Sequence, residues 1–196
     1  MPGSTKDNEM RKILLLLSVV LTPLCGYSQC LHGNVLIVNK AETDGSRHIV
    51  TGYQEIFTSG IRAGCASLIC EVKKTDTIYA ISLSLNEGKL YISEGRKLII
   101  KLENDSIITL ENETEIGSLE QRTTEYGFTI VEPFYLISYN DLYTIINIGV
   151  KKIRIETNTS VIDRIIKKNK MSIALKIELE TIQKELATYK DLYSDF

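Results

Sequence analysis

Asp76-Thr77-Ile78-Tyr79-Ala80-Ile81-Ser82-Leu83-Ser84-Leu85 begins a series of short apolar runs that continues through Leu90-Tyr91-Ile92, Leu98-Ile99-Ile100-Lys101-Leu102 and Ile107-Ile108-Thr109-Leu110. Glu87-Gly88, Glu94-Gly95 and Asn104-Asp105-Ser106 separate them. Runs of this length, rich in Ile and aromatics and bounded by Gly, Asn and Asp, predict strands of an antiparallel sheet. Side chains alternate across a strand, so Tyr79, Ile81, Leu83 and Leu85 share one face. Leu98, Ile100 and Leu102 share another, with Lys97, Lys101 and Glu103 opposite. A three-residue loop at 104–106 sets Leu102 against Ile108 and Ile100 against Leu110, keeping apolar pairs together. A two-residue loop would put Ile100 against Thr109 and Leu98 against Glu111. Each buried Leu or Ile contributes about 1.5–3 kcal/mol, so the longer loop is expected.

Upstream, Asn34 to Val38 reads as a strand, and Ala41 to Gly64 as weak strands and loops around Arg47-His48-Ile49-Val50 and Ile56-Phe57. Ser67 to Lys73 leads into the sheet. Downstream, Glu111 to Glu125 is an acidic, solvated loop. Phe128 to Ile137 is a strand in which Pro133 marks an edge or a bulge. Ser138 to Asn147 predicts a short helix capped by Ser138 or Asn140, with Leu142, Ile145 and Ile146 at helical spacing and Gly149 as its stop. Lys151 to Glu156 is a strand with Ile153 and Ile155 inward. Val161 to Ile166 suits a strand or a helix start; its β-branched content favours strand, with a helix from about Lys170 to Tyr193. There Leu175, Leu179, Ile182, Leu186, Tyr189 and Tyr193 form a narrow apolar stripe. Lys176, Glu178, Glu180, Lys184, Glu185 and Lys190 form a mixed-charge face suited to water. Such a helix docks on a sheet as a structural lid.

The amino terminus has a different character. Met10-Arg11-Lys12 is a positive flank, and Ile13 to Leu24 is an uncharged run of twelve residues ending at Pro23 and Gly26. This is the pattern of a secretory signal peptide, and the run is shorter than the roughly 20 residues of a membrane span. Residues 1–28 are therefore an extension plus signal peptide, with Met10 as the candidate start, and 29–196 form one exported domain. Cys25 and Cys30 lack the Leu-small-small pattern of a lipid anchor, so plain cleavage near Ser28–Gln29 is the preferred reading. Cleavage leaves Cys30, Cys65 and Cys70. In an oxidising compartment Cys65 and Cys70 are a candidate disulfide closing a small loop; the alternative is three small buried hydrophobes.

A net charge of −2 gives no electrostatic case for nucleic acid. His32 and His48 are the only histidines and show no metal-ligand spacing, and no phosphate loop, nucleophile elbow or dinucleotide fingerprint occurs. No cofactor, metal or catalytic residue is expected. The Lys151-Lys152-Arg154 and Lys167-Lys168-Lys170 clusters solvate strand ends. The sequons at Asn104, Asn112 and Asn158 are short patterns that also arise by chance.

The signal peptide ending in Ser28-Gln29, the Lys97 to Leu102 strand and Gly149 to Glu156 before a Lys-rich terminal helix resemble small exported proteins of unknown function from Bacteroidetes-type bacteria. The resemblance covers about Thr75 to the end and brings no activity with it. It implies O-glycosylation of Asp-Ser/Thr-aliphatic triplets, with Asp76-Thr77-Ile78 and Asp105-Ser106-Ile107 placing Thr77 and Ser106 as acceptors. The expected fold is α+β: seven or eight antiparallel strands, a short helix, and a carboxy-terminal helix packed on the sheet. The expected role is non-enzymatic, by binding another envelope protein or a glycan or as a structural component of the envelope. The competing reading is a secreted hydrolase whose carboxylates converge in a pocket.

Overall fold

A computed structural model of the chain describes residues 36–41, 46–59, 62–73, 76–87, 90–113, 122–123 and 129–193. The signal peptide, Cys25, Cys30, His32 and most of the acidic 111–125 loop lie outside them. The described residues form two antiparallel sheets with a short helix and a carboxy-terminal helix, an α+β architecture. The sheets hold eight and four strands, more than the seven or eight expected. The surplus comes from edges that are paired piecewise.

The larger sheet is built on a ribbon of two twelve-residue strands, β4 (Arg62–Lys73) and β5 (Asp76–Glu87). Two strands share the outer edge of β4. β2 (Arg47–Thr51) pairs its carboxy-terminal half and β3 (Gln54–Ser59) its amino-terminal half, while β1 (Leu36–Ala41) pairs β2. Across the break between β2 and β3, Thr51 Oγ1 accepts from the Leu68 amide at 2.9 Å and donates to its carbonyl at 3.0 Å. The Phe57 ring of β3 lies across Gly64, where a Cβ would overlap it, so this position requires glycine.

β5 is shared in the same way. The run Phe128 to Ile137 divides at Glu132-Pro133 into β9 (Thr129–Val131) and β10 (Phe134–Ile137), and both pair β5. β8 (Arg122–Thr123) extends β9. Proline cannot donate to the ladder, which is why the strand divides there; its carbonyl still accepts from Leu83 at 3.1 Å. Tyr79, Ile81, Leu83 and Leu85 do share the core face, but Ala80, Ser82 and Ser84 opposite are buried too. A second, smaller apolar cluster of Val50, Ile69, Ala80 and Phe134 lies on that reverse face.

The smaller sheet has β6 (Lys97–Leu102) and β11 (Val150–Glu156) at its centre, with β7 (Ile107–Glu111) and β12 (Val161–Ile165) at its edges. Leu98, Ile100, Leu102, Ile153 and Ile155 are fully buried, so the expected faces hold. The pairing differs by two residues: Ile100 faces Ile108, and Leu98 faces Leu110. The loop is Glu103-Asn104-Asp105, one position earlier than expected, because Asp105 takes the left-handed position (φ 65°) and Asn104 Oδ1 accepts from the Ser106 amide at 3.1 Å. An even shift leaves every side chain on its face, so no apolar burial is lost.

Leu90-Tyr91-Ile92 is not a strand. It keeps the in-out-in alternation, with Leu90 and Ile92 buried, but is tied by the Asn158 amide donating to the Tyr91 carbonyl at 2.8 Å. Helix α1 (Tyr139–Ile148) has Ser138 as its cap, whose hydroxyl accepts from the Asp141 amide at 3.0 Å, and it stops at Gly149 (φ 93°). Helix α2 (Lys170–Tyr193) follows β12 through a tight turn in which Lys168 and Asn169 take left-handed φ of 54° and 51°. Its buried side presents Met171, Ala174, Leu175, Leu179 and Ile182 to the core.

Candidate functional site

Three features combine exposure, burial and polarity in ways the fold alone does not require. The first is an aromatic platform. Leu142 and Ile145 turn one side of α1 to the core, which sends Tyr139 and Tyr143, four residues apart, to the outside. Tyr139 is 44% and Tyr143 56% exposed. Their rings are nearly parallel, at 20° with centroids 6.2 Å apart, and Tyr79 of β5 braces Tyr139 from beneath at 5.8 Å. Helix α1 holds no Lys or Arg, and its Asp141 carboxylate accepts from the Ser138 hydroxyl at 2.7 Å. An aromatic pair without cations suits an apolar ring face fringed by hydroxyls, not a polyanion.

The second is the seam between the sheets. Asn112 forms a lone bridge with Tyr135 of β10, directly after β7. Its side chain is 1% exposed; Oδ1 accepts from the Phe134 amide at 2.9 Å, and Nδ2 donates to the Ser93 carbonyl at 3.1 Å and to that of Ile92 at 3.4 Å. Nearby, the fully buried Tyr135 hydroxyl has no hydrogen-bond partner among the described residues. Burial first, and then the Glu156 charge, push its phenol far up.

The third is Glu178. It does not sit on the water-facing side of α2: it is 2% exposed on the docked face, between Leu175 and Ile182. Both carboxyl oxygens lack a hydrogen-bond partner among the described residues. Burial pushes the group well above the ordinary carboxylate range; the Leu68 amide pulls back weakly, being already given to Thr51.

The residues singled out from the sequence fall elsewhere. Cys65 and Cys70 do not pair. Both lie on β4 five residues apart, about 16 Å along an extended strand and on opposite faces, whereas a disulfide needs Cα atoms within about 7 Å. Cys65 is disulfide-bonded, with its partner outside the described residues, and Cys70 is a buried free thiol. Thr77 is exposed near the start of β5, and Ser106 is exposed at the hairpin tip with its hydroxyl on Asn104 Oδ1 at 2.6 Å. The sequon at Asn112 is closed to modification by burial. Among the described residues no three His, Cys, Asp or Glu groups converge to hold a metal, and no charged side chain contributes to the Glu178 shift.

The sequence held a signal for two of the three features. Tyr139 and Tyr143 stand one helical turn apart and off the Leu142–Ile145 face. Glu178 lies three residues after Leu175 and four before Ile182, on the stripe itself. Nothing local marked Asn112. No protein-family model, curated protein or solved structure matches the chain.

Proposed function

We propose that this chain is an exported, non-enzymatic binding protein, and that the Tyr139–Tyr143 face of α1 is its contact surface for an uncharged glycan. The near-parallel pair of exposed phenol rings is the observation that supports the reading. A pyranose ring stacks its C–H face on an aromatic plane, and the two hydroxyls with Asn140 beside them offer donors and acceptors to its rim. The absence of Lys and Arg from α1 argues for a neutral sugar over an acidic one. Export rests on the Arg11-Lys12 flank and the short Ile13 to Leu24 run.

The test is to express the chain with its amino-terminal segment in a Gram-negative host, sequence the mature terminus by mass spectrometry, and titrate the product with neutral polysaccharides by calorimetry. A terminus near Gln29, and binding lost in Tyr143→Ala and weakened in Tyr139→Ala at unchanged melting temperature, is expected. An intact Met10 terminus in the cytoplasm overturns export. Failure of every neutral glycan to bind, or equal binding by both alanine variants, overturns the platform.

A further inference from the structure

Helix α2 lies along β4 and is tied to the larger sheet at two places. Near its start, Lys170 forms an ion pair with Glu55 of β3. Fifteen residues on, Glu185 accepts from Arg47 of β2 through its carbonyl at 2.9 Å and from Asn39 of β1 through its carboxylate at 2.7 Å. Glu55 pairs Cys65, and Arg47 pairs Val72, so the two ties are seven residues apart on β4. Fifteen helical residues rise about 22 Å and seven strand residues about 23 Å, so helix and strand keep step between the ties. Glu178 falls midway, near Leu68.

Between the ties the neighbours offer it no charge. On β3 and β2 the charged groups facing α2 are Glu55 and Arg47, engaged at the ends. The core face of β4 presents Leu68 and Cys70, that of α1 Leu142 and Ile145, and that of β11 Ile153 and Ile155. On α2 itself the buried Ser172 hydroxyl also lacks a partner among the described residues, and Lys176 and Glu180 are exposed. An unpartnered carboxyl in an apolar interface is tolerated as the neutral acid. As a carboxylate it has neither water nor a countercharge unless the interface opens.

We propose that Glu178 is a proton-controlled release for α2: with the proton on, the helix lies on β4, and loss of that proton to solvent lifts it off. Below the ordinary carboxylate range the docked and released states are both protonated, so the balance is fixed there. Above it the released state gives up its proton first, and each further pH unit favours release by up to tenfold until the docked carboxyl titrates as well.

Cys70 reports on the opening. It lies on β4 two residues beyond Leu68, on the covered face and fully buried, and burial pushes its thiol up to about 12. The experiment is alkylation of the full chain by N-ethylmaleimide from pH 5 to pH 9, with the Cys70 peptide quantified by mass spectrometry, in the wild type and Glu178→Gln. The ratio of their rates cancels the thiol's own titration. The ratio is expected to rise from pH 5 onwards and to reach at least tenfold its pH 5 value by pH 9, while hydrogen exchange in the β6–β7 hairpin stays equal in both proteins. Glu178→Met gives the same comparison without a polar group and covers the case in which the glutamine fails to fold. A ratio constant across the range overturns the release, as does hairpin exchange that rises together with Cys70 labelling, since the whole molecule would then be opening.

Discussion

Asn112 and Glu178 are buried alike, at 1% and 2% exposure, and their surroundings treat them in opposite ways. At the seam between the sheets every polar atom of the Asn112 side chain meets a backbone group. In the seat of α2 neither oxygen of Glu178 makes a hydrogen bond among the described residues, and the nearby Leu68 amide is already given to Thr51. The difference teaches that burial of a polar group is not in itself a stabilising or destabilising feature. A satisfied amide in low dielectric joins two elements with direction, whereas an unsatisfied carboxyl lowers the stability of an interface whose apolar residues Met171, Leu175, Leu179 and Ile182 hold it closed.

Removing Asn112 should have the largest effect. Asn112→Ala leaves the Phe134 amide buried without its acceptor, at about 1–3 kcal/mol, and loses two further bonds of about 1 kcal/mol each. A loss of about 3–5 kcal/mol in a denaturant titration is expected. A loss below about 1 kcal/mol would mean that the seam does not depend on this residue.

Glu178→Met should act in the opposite direction and only where the carboxyl is under strain from pH. A folded-state value raised above the ordinary 4.5 means that the native chain holds its proton longer than the unfolded chain. Wild-type stability is therefore unaffected below about pH 4 and falls as pH rises through the ordinary carboxylate range and beyond. The variant lacks that decline, so it should be more stable than wild type by about 1–3 kcal/mol at pH 8, with the gap closing towards pH 4. A variant less stable than wild type at pH 8 would break the comparison with Asn112.

The smallest effect should come from a charge that is neither buried nor alone. Lys101, 42% exposed in its side chain, sits 2.9 Å from Asp105, which also holds Lys151 at 3.1 Å. These two lysines, Lys101 foremost, keep the Asp105 carboxyl below its usual range. Lys101→Ala should change stability by less than about 0.5 kcal/mol, because Lys151 remains and water screens the pair. A loss above about 1 kcal/mol at pH 7 would show that exposed pairs on this sheet matter as much as the buried amide.

The faces of the β6–β7 hairpin were legible because alternation with a period of two is a local property and survives a two-residue error in register. The register itself was not. It turns on Asp105 entering the left-handed region, which competes closely with other loop positions in a run of Asn, Asp and Ser. Helix α1, its Ser138 cap and its Gly149 stop were legible for the same local reason. Pairing of Cys65 with Cys70 failed because nearness in sequence is not nearness in space once both lie on one extended strand.

By itself the sequence determined the α+β class, the inward faces of β6 and β11, the bounds of α1 and the change from strand to helix near Lys170. Each depends on hydrophobic period, β-branching, capping or glycine within a few neighbouring residues. Only the tertiary structure decided that β4 and β5 each share an edge between two strands, that Asn112 closes the seam, and that Glu178 is buried. These depend on which remote backbone groups come to rest beside a side chain: Phe134 stands 22 residues from Asn112, and Leu68 stands more than a hundred from Glu178. A local pattern states what a residue prefers, and the partners that satisfy or starve it arrive only when the chain has folded.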